Sequence, residues 1–254
     1  MTVAVVIPAY DEAATIATIV QRARLQLETV IVVDDGSIDD TASQAAHAGA
    51  MVLRQPSNQG KGAALWHGLQ QALALGAEAI ITLDGDGQHR PEDLPKLLDA
   101  HRRWPDRLII AARLERRDRA PRLRRFANGM ADFWLSWAAG WPIRDSQSGF
   151  RLYPATLLRQ MSGPQPGRGG FAFESQALLQ AARLGGSPVT VAIETLYPPH
   201  ARPSHYRAWR DTLRIIALVA GELFGRGLYP VGLLRALRQP PLSATSPDTK
   251  RRHR

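Results

Sequence analysis

Short apolar runs alternate with stretches of helical periodicity along the first half of the chain. Five short apolar runs, bounded by polar residues, predict strands. They cover residues 3–7, 30–33, 51–53, 79–83 and 108–112. Between them, apolar residues recur at helical spacing and predict helices, one of which begins at Pro91. This alternation predicts an α/β fold with a Rossmann-like, mostly parallel sheet flanked by helices.

The second half of the chain is less regular. Aromatic residues at helical spacing predict a helix over 126–141 with a strongly aromatic face, and 190–197 predicts a last strand. Residues 210–237 predict a partly amphipathic helix that breaks near Pro230. We therefore expect the chain to have three parts. These are a main domain over 1–215, a C-terminal amphipathic helical segment over 216–238 and a disordered basic tail over 239–254.

Composition narrows the class of protein. Apolar residues make up 44% of the 254, which is enough for a packed core. The absence of cysteine excludes disulfides, thiolate zinc sites and thiol nucleophiles, and it fits a reducing compartment. Because the chain opens directly into a strand-like run and has no uncharged apolar stretch of about 18 residues, we expect neither a secretory leader nor a membrane-spanning helix.

The net charge of +9 is unevenly distributed. Seven of the thirteen residues of 113–125 are arginine, and the last five residues read KRRHR. Such clusters suit anionic partners, namely nucleotide phosphates, acidic lipid surfaces or nucleic acid, although a solvated loop and a free tail would look the same. The arginine cluster directly precedes the aromatic helix, and this combination suits an anionic membrane surface. A helix buried against the core is the alternative for that aromatic face.

Two carboxylates follow the fourth predicted strand. Asp84 and Asp86, separated by Gly85, come directly after the apolar run, and Gln88 lies two residues further on. Carboxylates crowded at the carboxyl end of a buried strand repel each other and lose hydration unless a cation lies between them. Hard cations such as Mg²⁺ take oxygen ligands and bring substrate phosphates with them. The segment therefore predicts a divalent metal that holds a phosphorylated ligand; the alternative is a satisfied turn.

Other polar groups also follow predicted strands. Tyr10 and Glu12 follow the first, where they could offer an aromatic surface and an acceptor to a nucleotide base. Asp35 follows the second, in a DDGS segment that would also serve as an ordinary turn and helix cap. The loop 58–62 precedes a helix but lacks the spacing of a phosphate-binding loop, so we interpret it as a structural turn. Since all these groups follow strands, we expect one ligand crevice along the carboxyl ends of the sheet.

A set of motifs occurs in a fixed order along the chain: PAYDEAATI, VDDGS, NQGKG and LDGDGQH, then AAR at 111–113, DSQSGFRLY at 145–153, FAFES at 171–175 and YPPHARPSHYRAWRDT at 197–212. Taken together, these motifs resemble the family-2 inverting glycosyltransferases of the GT-A fold. The likeness covers about residues 3–220 and is closest to the dolichol-phosphate mannosyltransferase-like branch and its bacterial relatives, which act on lipid acceptors. The chain departs from the family pattern at Asp11, where asparagine is usual, and in having DGD rather than DAD at the metal motif.

The resemblance implies a role for each matched residue. Asp84 and Asp86 would coordinate Mg²⁺ or Mn²⁺, with Gln88 as a further ligand or phosphate contact. Donor contacts to base, ribose, phosphate or sugar would come from Pro8, Tyr10, Glu12, Asp35, Gly85 and Arg113. The acceptor side would be lined by Ser148, Gly149, Phe150, Arg151, Ser204 and His205. The groups expected to act in catalysis are Asp86, Asp145 and Arg207.

The resemblance further implies an inverting displacement at the anomeric carbon of a UDP- or GDP-sugar. The expected acceptor is a polyprenyl phosphate at an anionic membrane surface, reached by a cytoplasmic enzyme that is peripheral at the inner face of the cell membrane. A phosphate acceptor is already anionic, whereas a hydroxyl acceptor on a glycan or glycolipid would need a base. Asp145 is the candidate base, and a salt bridge to an arginine is its alternative role.

Three other classes of protein explain these features less well. A sugar-phosphate nucleotidyltransferase would place a glycine-rich loop after the first strand, where this chain has PAYDE. A nucleic-acid-binding protein would explain the charge but leave the strand-end acids unexplained, so we expect no nucleic-acid partner. A catalytically inactive binding module would not need those acids. The prediction is a metal-dependent glycosyltransferase.

Overall fold

The computed structural model describes residues 1–113, 122–164, 172–194 and 208–244. Eight strands form one sheet in the order β3-β2-β1-β4-β6-β5-β7-β8. The strands are β1 (Val3–Ala9), β2 (Thr29–Asp34), β3 (Met51–Arg54), β4 (Ala79–Thr82), β5 (Ile109–Ala112), β6 (Arg151–Pro154), β7 (Val189–Ala192) and β8 (Leu242–Ser243).

Helices cover both faces of the sheet. A short 3-10 turn at Pro91–Asp93 leads into the fourth helix, as the position of its proline predicts. The helices are α1 (Ile16–Arg24), α2 (Thr41–His47), α3 (Lys61–Ala74), α4 (Leu94–Arg103), α5 (Arg122–Ala139), α6 (Ala155–Leu158), α7 (Ala172–Gly185), α8 (Ala208–Phe224) and α9 (Pro230–Arg238).

Two apolar clusters lie on opposite faces of the sheet because alternate strand residues point to opposite sides. In β1, Ala4 and Val6 belong to a cluster that includes residues of α3, α5 and α7. Val5 and Ile7 belong to the other cluster, which α1 and α4 cover. The predicted α/β architecture, with a mostly parallel sheet between helical layers, is therefore confirmed.

The strand β6 is the main departure from the predicted pattern. It runs antiparallel to both of its neighbours, β4 and β5, while the other pairs in the sheet are parallel. Arg151, at its start, is in register with Thr82, at the end of β4. The segment that enters β6 therefore reaches the same edge of the sheet as the carboxyl end of β4.

The C-terminal region also differs from the predicted pattern. The boundary expected between 215 and 216 lies inside α8, whose Val219 and Leu223 belong to the core cluster of α3 and α7. Disorder was expected from 239 onward, but Leu242 and Ser243 pair with β7, because a parallel partner satisfies their backbone groups at the edge of the sheet. Over the described ranges, no helix is long and apolar enough to cross a membrane.

Candidate active site

The sheet gathers polar segments at one edge. The carboxyl ends of β1, β2, β4 and β5 point to this edge, and the antiparallel β6 starts from it. The acids after β4, the loop before α3 and the segment before β6 therefore meet, although they are far apart in the chain. This is the position at which open α/β sheets bind ligands.

Asp84 lies at the centre of a charged cluster. Its Oδ1 is 2.8 Å from the Nζ of Lys61, which is also 3.2 Å from the Oε2 of Glu174. The Nε2 of His89 is 3.7 Å from Oδ2 of the same aspartate. Partial burial alone would raise the pKa of Asp84, but the charge of Lys61 and the neighbouring His89 outweigh it and hold that pKa below its usual range. Burial would likewise lower the pKa of Lys61, but its two carboxylate partners raise it.

The missing side chain of Gly149 provides the space that these charged groups occupy. A Cβ at this position would be 2.7 Å from both carboxylate oxygens of Asp84 and 2.8 Å from the Oε1 of Glu174. Such contacts are closer than van der Waals packing allows, so any larger residue would displace one of the two acids. The predicted acceptor-side residue Gly149 thus lies directly against the predicted metal ligand.

Asp86 is the more basic of the two strand-end acids. Its burial, and then the charge of Asp84, raise its pKa, while a 3.0 Å hydrogen bond from the backbone N–H of Gln88 lowers it only partly. The two neighbouring carboxylates therefore disfavour each other's ionisation. A cation between them would remove this penalty.

The end of β1 contacts the same segment. A Cβ on Gly85 would lie 3.4 Å from the carbonyl of Pro8 and 3.5 Å from the Cγ of Glu12, and Thr15 donates to the carbonyl of Gly85 at 2.7 Å. The structure thus brings together Pro8, Glu12 and Gly85, three of the expected donor contacts. Tyr10 lies beside them and is half-buried.

Asp35 holds the loop before α3. Its carboxylate accepts hydrogen bonds of 2.8 Å from the backbone N–H groups of Gln59 and Gly60. Burial raises the pKa of Asp35, and these two hydrogen bonds oppose the rise. Asp35 therefore fixes the loop that presents Lys61 to Asp84.

Arg113 and Asp145 form a bidentate ion pair. The Nε and Nη2 of Arg113 donate to the two carboxylate oxygens at 2.8 and 2.7 Å, and the backbone N–H of Arg113 adds a third bond of 2.8 Å. This geometry matches the salt-bridge alternative for Asp145. It also joins the end of β5 to the segment that enters β6.

The rest of the DSQSGFR segment is buried. Ser148, Phe150 and Arg151 are at most 1% exposed. The guanidinium of Arg151 donates to the carbonyls of Ser146, Ser148 and Glu174 at 2.6 to 2.8 Å, so it braces the segment from inside. Ser204, His205 and Arg207, the remaining expected site residues, lie outside the described residues.

The sequence of this chain matches a known protein family. Residues 4–161, more than half of the chain, match the family model described as "Glycosyl transferase family 2". The chain belongs to glycosyl transferase family 2. The family membership predicted from the motifs is thus confirmed, and the protein is a glycosyltransferase.

Two curated relatives are similar over most of this glycosyltransferase. The undecaprenyl-phosphate mannosyltransferase of Micrococcus luteus is 30% identical over 214 residues, which are 76% of this chain and 83% of the relative. The glycosyltransferase AglJ of Haloferax volcanii is 30% identical over 226 residues, 88% of this chain and 71% of the relative. Among solved structures, mannosyl-3-phosphoglycerate synthase from Rubrobacter xylanophilus superposes with a TM-score of 0.72 at 23% identity, covering 95% of this chain and 78% of that one. This similarity shows the GT-A-like fold.

Lys61 and Glu174 of the glycosyltransferase were not among the residues predicted for the site. The loop 58–62 was interpreted as a structural turn, and FAFES contributed only to the resemblance. Lys61 lies between two glycines and Glu174 follows two phenylalanines, each near the start of a helix. A single charged residue in such a place is a weak local signal. Their partnership joins positions 61 and 174, and only the folded sheet brings them together.

The site fits a divalent cation that is shared with a ligand. Two carboxylates, those of Asp84 and Glu174, share the ammonium of Lys61, and the charge of Asp84 raises the pKa of the neighbouring Asp86, so the acids outnumber this ammonium. Over the described part of the chain, no group of three or more His, Cys, Asp or Glu side chains could hold a metal ion by itself. Mg²⁺ is typically bound through one or two carboxylates, with water and substrate phosphates completing its coordination. Asp84 and Asp86 supply that kind of donor set.

Proposed function

We propose that this glycosyltransferase moves a sugar from a UDP- or GDP-sugar to a polyprenyl phosphate, with Mg²⁺ or Mn²⁺ held by Asp84 and Asp86. The observation that carries the proposal is the pair of neighbouring acids, Asp84 and Asp86, at the carboxyl end of β4, with Glu174 joined to Asp84 through Lys61. Such a cluster would repel a diphosphate, and a divalent cation would turn the repulsion into attraction.

Related structures support the donor and the metal. A glucosyl-3-phosphoglycerate synthase from Mycobacterium tuberculosis, 25% identical over 90% of this chain with a TM-score of 0.65, was solved with Mn²⁺, UDP-glucose and phosphoglyceric acid. When bound here, the cation would neutralise charge on the departing nucleotide diphosphate. In this proposal the nucleotide binds beside Pro8, Tyr10, Glu12 and Asp35, at the ends of β1 and β2.

Curated relatives support the lipid acceptor. They include the undecaprenyl-phosphate mannosyltransferase above and a polyprenol monophosphomannose synthase of Mycolicibacterium smegmatis, which is 30% identical over 74% of this chain. A phosphate monoester is already anionic, so it attacks without a strong base. That chemistry agrees with Asp145 being held in an ion pair by Arg113.

Lys61 orders the site in this proposal. Its ammonium keeps Asp84 ionised and ties it to Glu174, and Gly149 leaves space for both acids. A carboxylate that is already ionised and oriented needs no reorganisation when the metal and diphosphate arrive.

Phosphoglycerate is a second candidate acceptor because two structural relatives are named for it. Either acceptor would receive the sugar from the same nucleotide sugar, so the donor side of the proposal is common to them. An assay with each acceptor in parallel separates the two.

Thermal unfolding in the presence of donors tests the donor and metal assignment. We expect a UDP- or GDP-sugar to raise the unfolding temperature when Mn²⁺ is present, and to do so only weakly when EDTA replaces it. Asp86→Asn should lose the metal-dependent part of the increase. The assignment is wrong if no nucleotide sugar stabilises the protein in a metal-dependent manner.

A further inference from the structure

Lys61 occupies an oxygen of Asp84 that a metal ion would also use. The Nζ of Lys61 lies 2.8 Å from the Oδ1 of Asp84. A bond from Mg²⁺ to a carboxylate oxygen is about 2.1 Å long, so a Mg²⁺ ion on this oxygen would lie at most about 5 Å from the ammonium. Like charges at this separation repel strongly in a partly buried site. The two cations would therefore compete for this oxygen.

The carboxylate of Asp84 is also held from its other side. Its Oδ2 faces the Nε2 of His89 at 3.7 Å. His89 is 4% exposed, and its ring packs on Phe150 with the ring centroids 5.4 Å apart. Asp84 would therefore keep its position when its cation changes, and the side chain that moves would be that of Lys61.

Glu174 is an alternative partner that Lys61 already contacts. Its Oε2 lies 3.2 Å from the Nζ of Lys61, and its side chain is 10% exposed. The backbone carbonyl of Glu174 accepts a hydrogen bond of 2.6 Å from Arg151, which fixes this acid in place. A lysine ammonium has three donors on a flexible four-carbon chain. A rotation of this chain would therefore move the ammonium from Asp84 toward Glu174 without leaving it unpaired.

The backbone of Lys61 would not take part in this movement. Lys61 is the first residue of α3, and Asp35 holds the loop before it through two hydrogen bonds of 2.8 Å. A Cβ on Gly68 of the same helix would lie 2.8 Å from the Cγ2 of Val33, so α3 packs closely on the sheet. The exchange is therefore confined to one side chain.

We propose that Lys61 is an exchangeable internal counter-ion, which pairs with Asp84 in the metal-free protein and moves to Glu174 when the metal binds. The exchange rests on the proposed function, because it takes Asp84 as a metal ligand. Metal alone must displace the ammonium, whereas a nucleotide diphosphate adds negative charge that offsets the repulsion between the two cations. Metal and nucleotide should therefore bind cooperatively. Lys61 acts through Asp84 and is a positioning residue.

Titration of the whole chain with Mn²⁺ tests the proposal, with unbound Mn²⁺ measured by electron paramagnetic resonance at neutral pH. Without nucleotide, Lys61→Met should bind Mn²⁺ about ten-fold more tightly than the wild type, because the competing cation is gone. Glu174→Gln should bind it about ten-fold more weakly, because it loses a negative charge and leaves Lys61 on Asp84. A merely structural role for this cluster would weaken binding in both variants.

The controls remove the two members of an exposed ion pair on α4. Arg102→Met and Asp99→Asn should leave the Mn²⁺ affinity unchanged. Circular dichroism checks that each variant is folded, and Lys61→Gln replaces Lys61→Met if the latter is not. Adding UDP or GDP should raise the Mn²⁺ affinity of the wild type more than that of the Lys61 variant.

Two results would overturn the counter-ion role alone. They are a folded Lys61 variant that binds Mn²⁺ no more tightly than the wild type, and a Glu174→Gln variant that binds it more tightly, each with nucleotide-dependent Mn²⁺ binding intact in the wild type. Absence of Mn²⁺ binding to the wild type with UDP and with GDP would overturn the proposed metal site as well.

Discussion

Lys61 is the residue on which the candidate active site depends most. Its ammonium pairs with both Asp84 and Glu174. The three side chains are largely shielded from water, with 21% of Lys61 and 10% of Glu174 exposed. Removing one member of such a group leaves charges buried without a partner, which costs more than the loss of a surface ion pair.

Lys61→Met should therefore destabilise the protein by about 3 kcal/mol at neutral pH. Because Lys61 lowers the pKa of Asp84, that carboxylate stabilises the wild type above the ordinary pKa of aspartate, about 3.9, and the contribution is lost as the pH falls. In the variant, burial would raise the pKa of Asp84 instead. Urea unfolding should show a deficit that is largest near pH 7 and shrinks toward pH 4.

Arg102→Met is the matched control for this charge removal. Arg102 pairs with Asp99, but the two side chains are 67% and 60% exposed. Its loss should cost at most about 1 kcal/mol. Equal, pH-independent losses in both variants would contradict the role given to Lys61.

Gly149 makes a second residue-level prediction. Gly149→Ala places a Cβ within 2.8 Å of both acids that hold Lys61, so it should displace one of them and reduce transfer about 100-fold or more. Gly129→Ala in α5 is the control, because a Cβ there meets nothing within 4 Å and alanine favours the helix. It should keep full activity and gain up to about 1 kcal/mol. Wild-type activity in Gly149→Ala would show that the acids need no such space.

The chain sequence predicts the local half of this site but not the long-range half. Asp84 and Asp86 could be recognised because two acids directly follow an apolar run. The pairing of Lys61 with Glu174 could not, since any of 23 acidic residues could face that lysine before the fold is known. The buried contacts of Arg151 were hidden for the same reason.

The antiparallel strand β6 brings a segment of the second half of the chain into the candidate active site. Its insertion between β4 and β5 carries the DSQSGFR segment to the end of β4, and Thr82 secures it by donating to the carbonyl of Gly149 at 2.7 Å. The strand was not predicted because it is four residues long and starts with arginine. The five earlier strands were predicted within two residues at each end because each is a short apolar run; four of them are buried on both faces, and the edge strand β3 is only partly buried.

Arg151 tests whether this segment is a brace or a ligand contact. Arg151→Met leaves three buried carbonyls without their donor, so we expect a loss of about 3 kcal/mol in the free energy of unfolding. Chemical denaturation of the free protein measures it. Should the variant keep its stability and lose only acceptor affinity, Arg151 would be an acceptor contact and not a brace.

The surface of the whole molecule offers a face for a membrane. On α5, Phe133 and Trp134 are 40% and 39% exposed, and Trp137 donates to the carbonyl of Leu228 just before α9. The helix α9 adds two exposed leucines, Leu234 and Leu237, and two arginines next to them in sequence, Arg235 and Arg238. We propose that this aromatic and basic face rests on an anionic bilayer at the inner side of the cell membrane, where the proposed lipid acceptor would lie.

Sedimentation with vesicles tests this face. The wild type should co-sediment with vesicles that contain phosphatidylglycerol, less so at high salt, and the double variant Phe133→Ser/Trp134→Ser should remain in the supernatant. Leu25→Ser/Ile38→Ser is the control, because Leu25 and Ile38 are 82% and 92% exposed but lie on other elements. If both double variants sediment equally, this face does not bind the membrane.

Transfer of labelled sugar into lipid tests the proposed function most directly. Purified protein would be incubated with a panel of labelled UDP- and GDP-sugars, a polyprenyl phosphate and Mg²⁺ or Mn²⁺, and the label extracted into organic solvent. We predict metal-dependent labelling of the lipid by at least one donor, loss of it in Asp86→Asn, and its retention in Asp99→Asn, which alters an exposed acid of α4. No lipid labelling with any donor, or a wild-type rate in Asp86→Asn or in EDTA, would contradict the account.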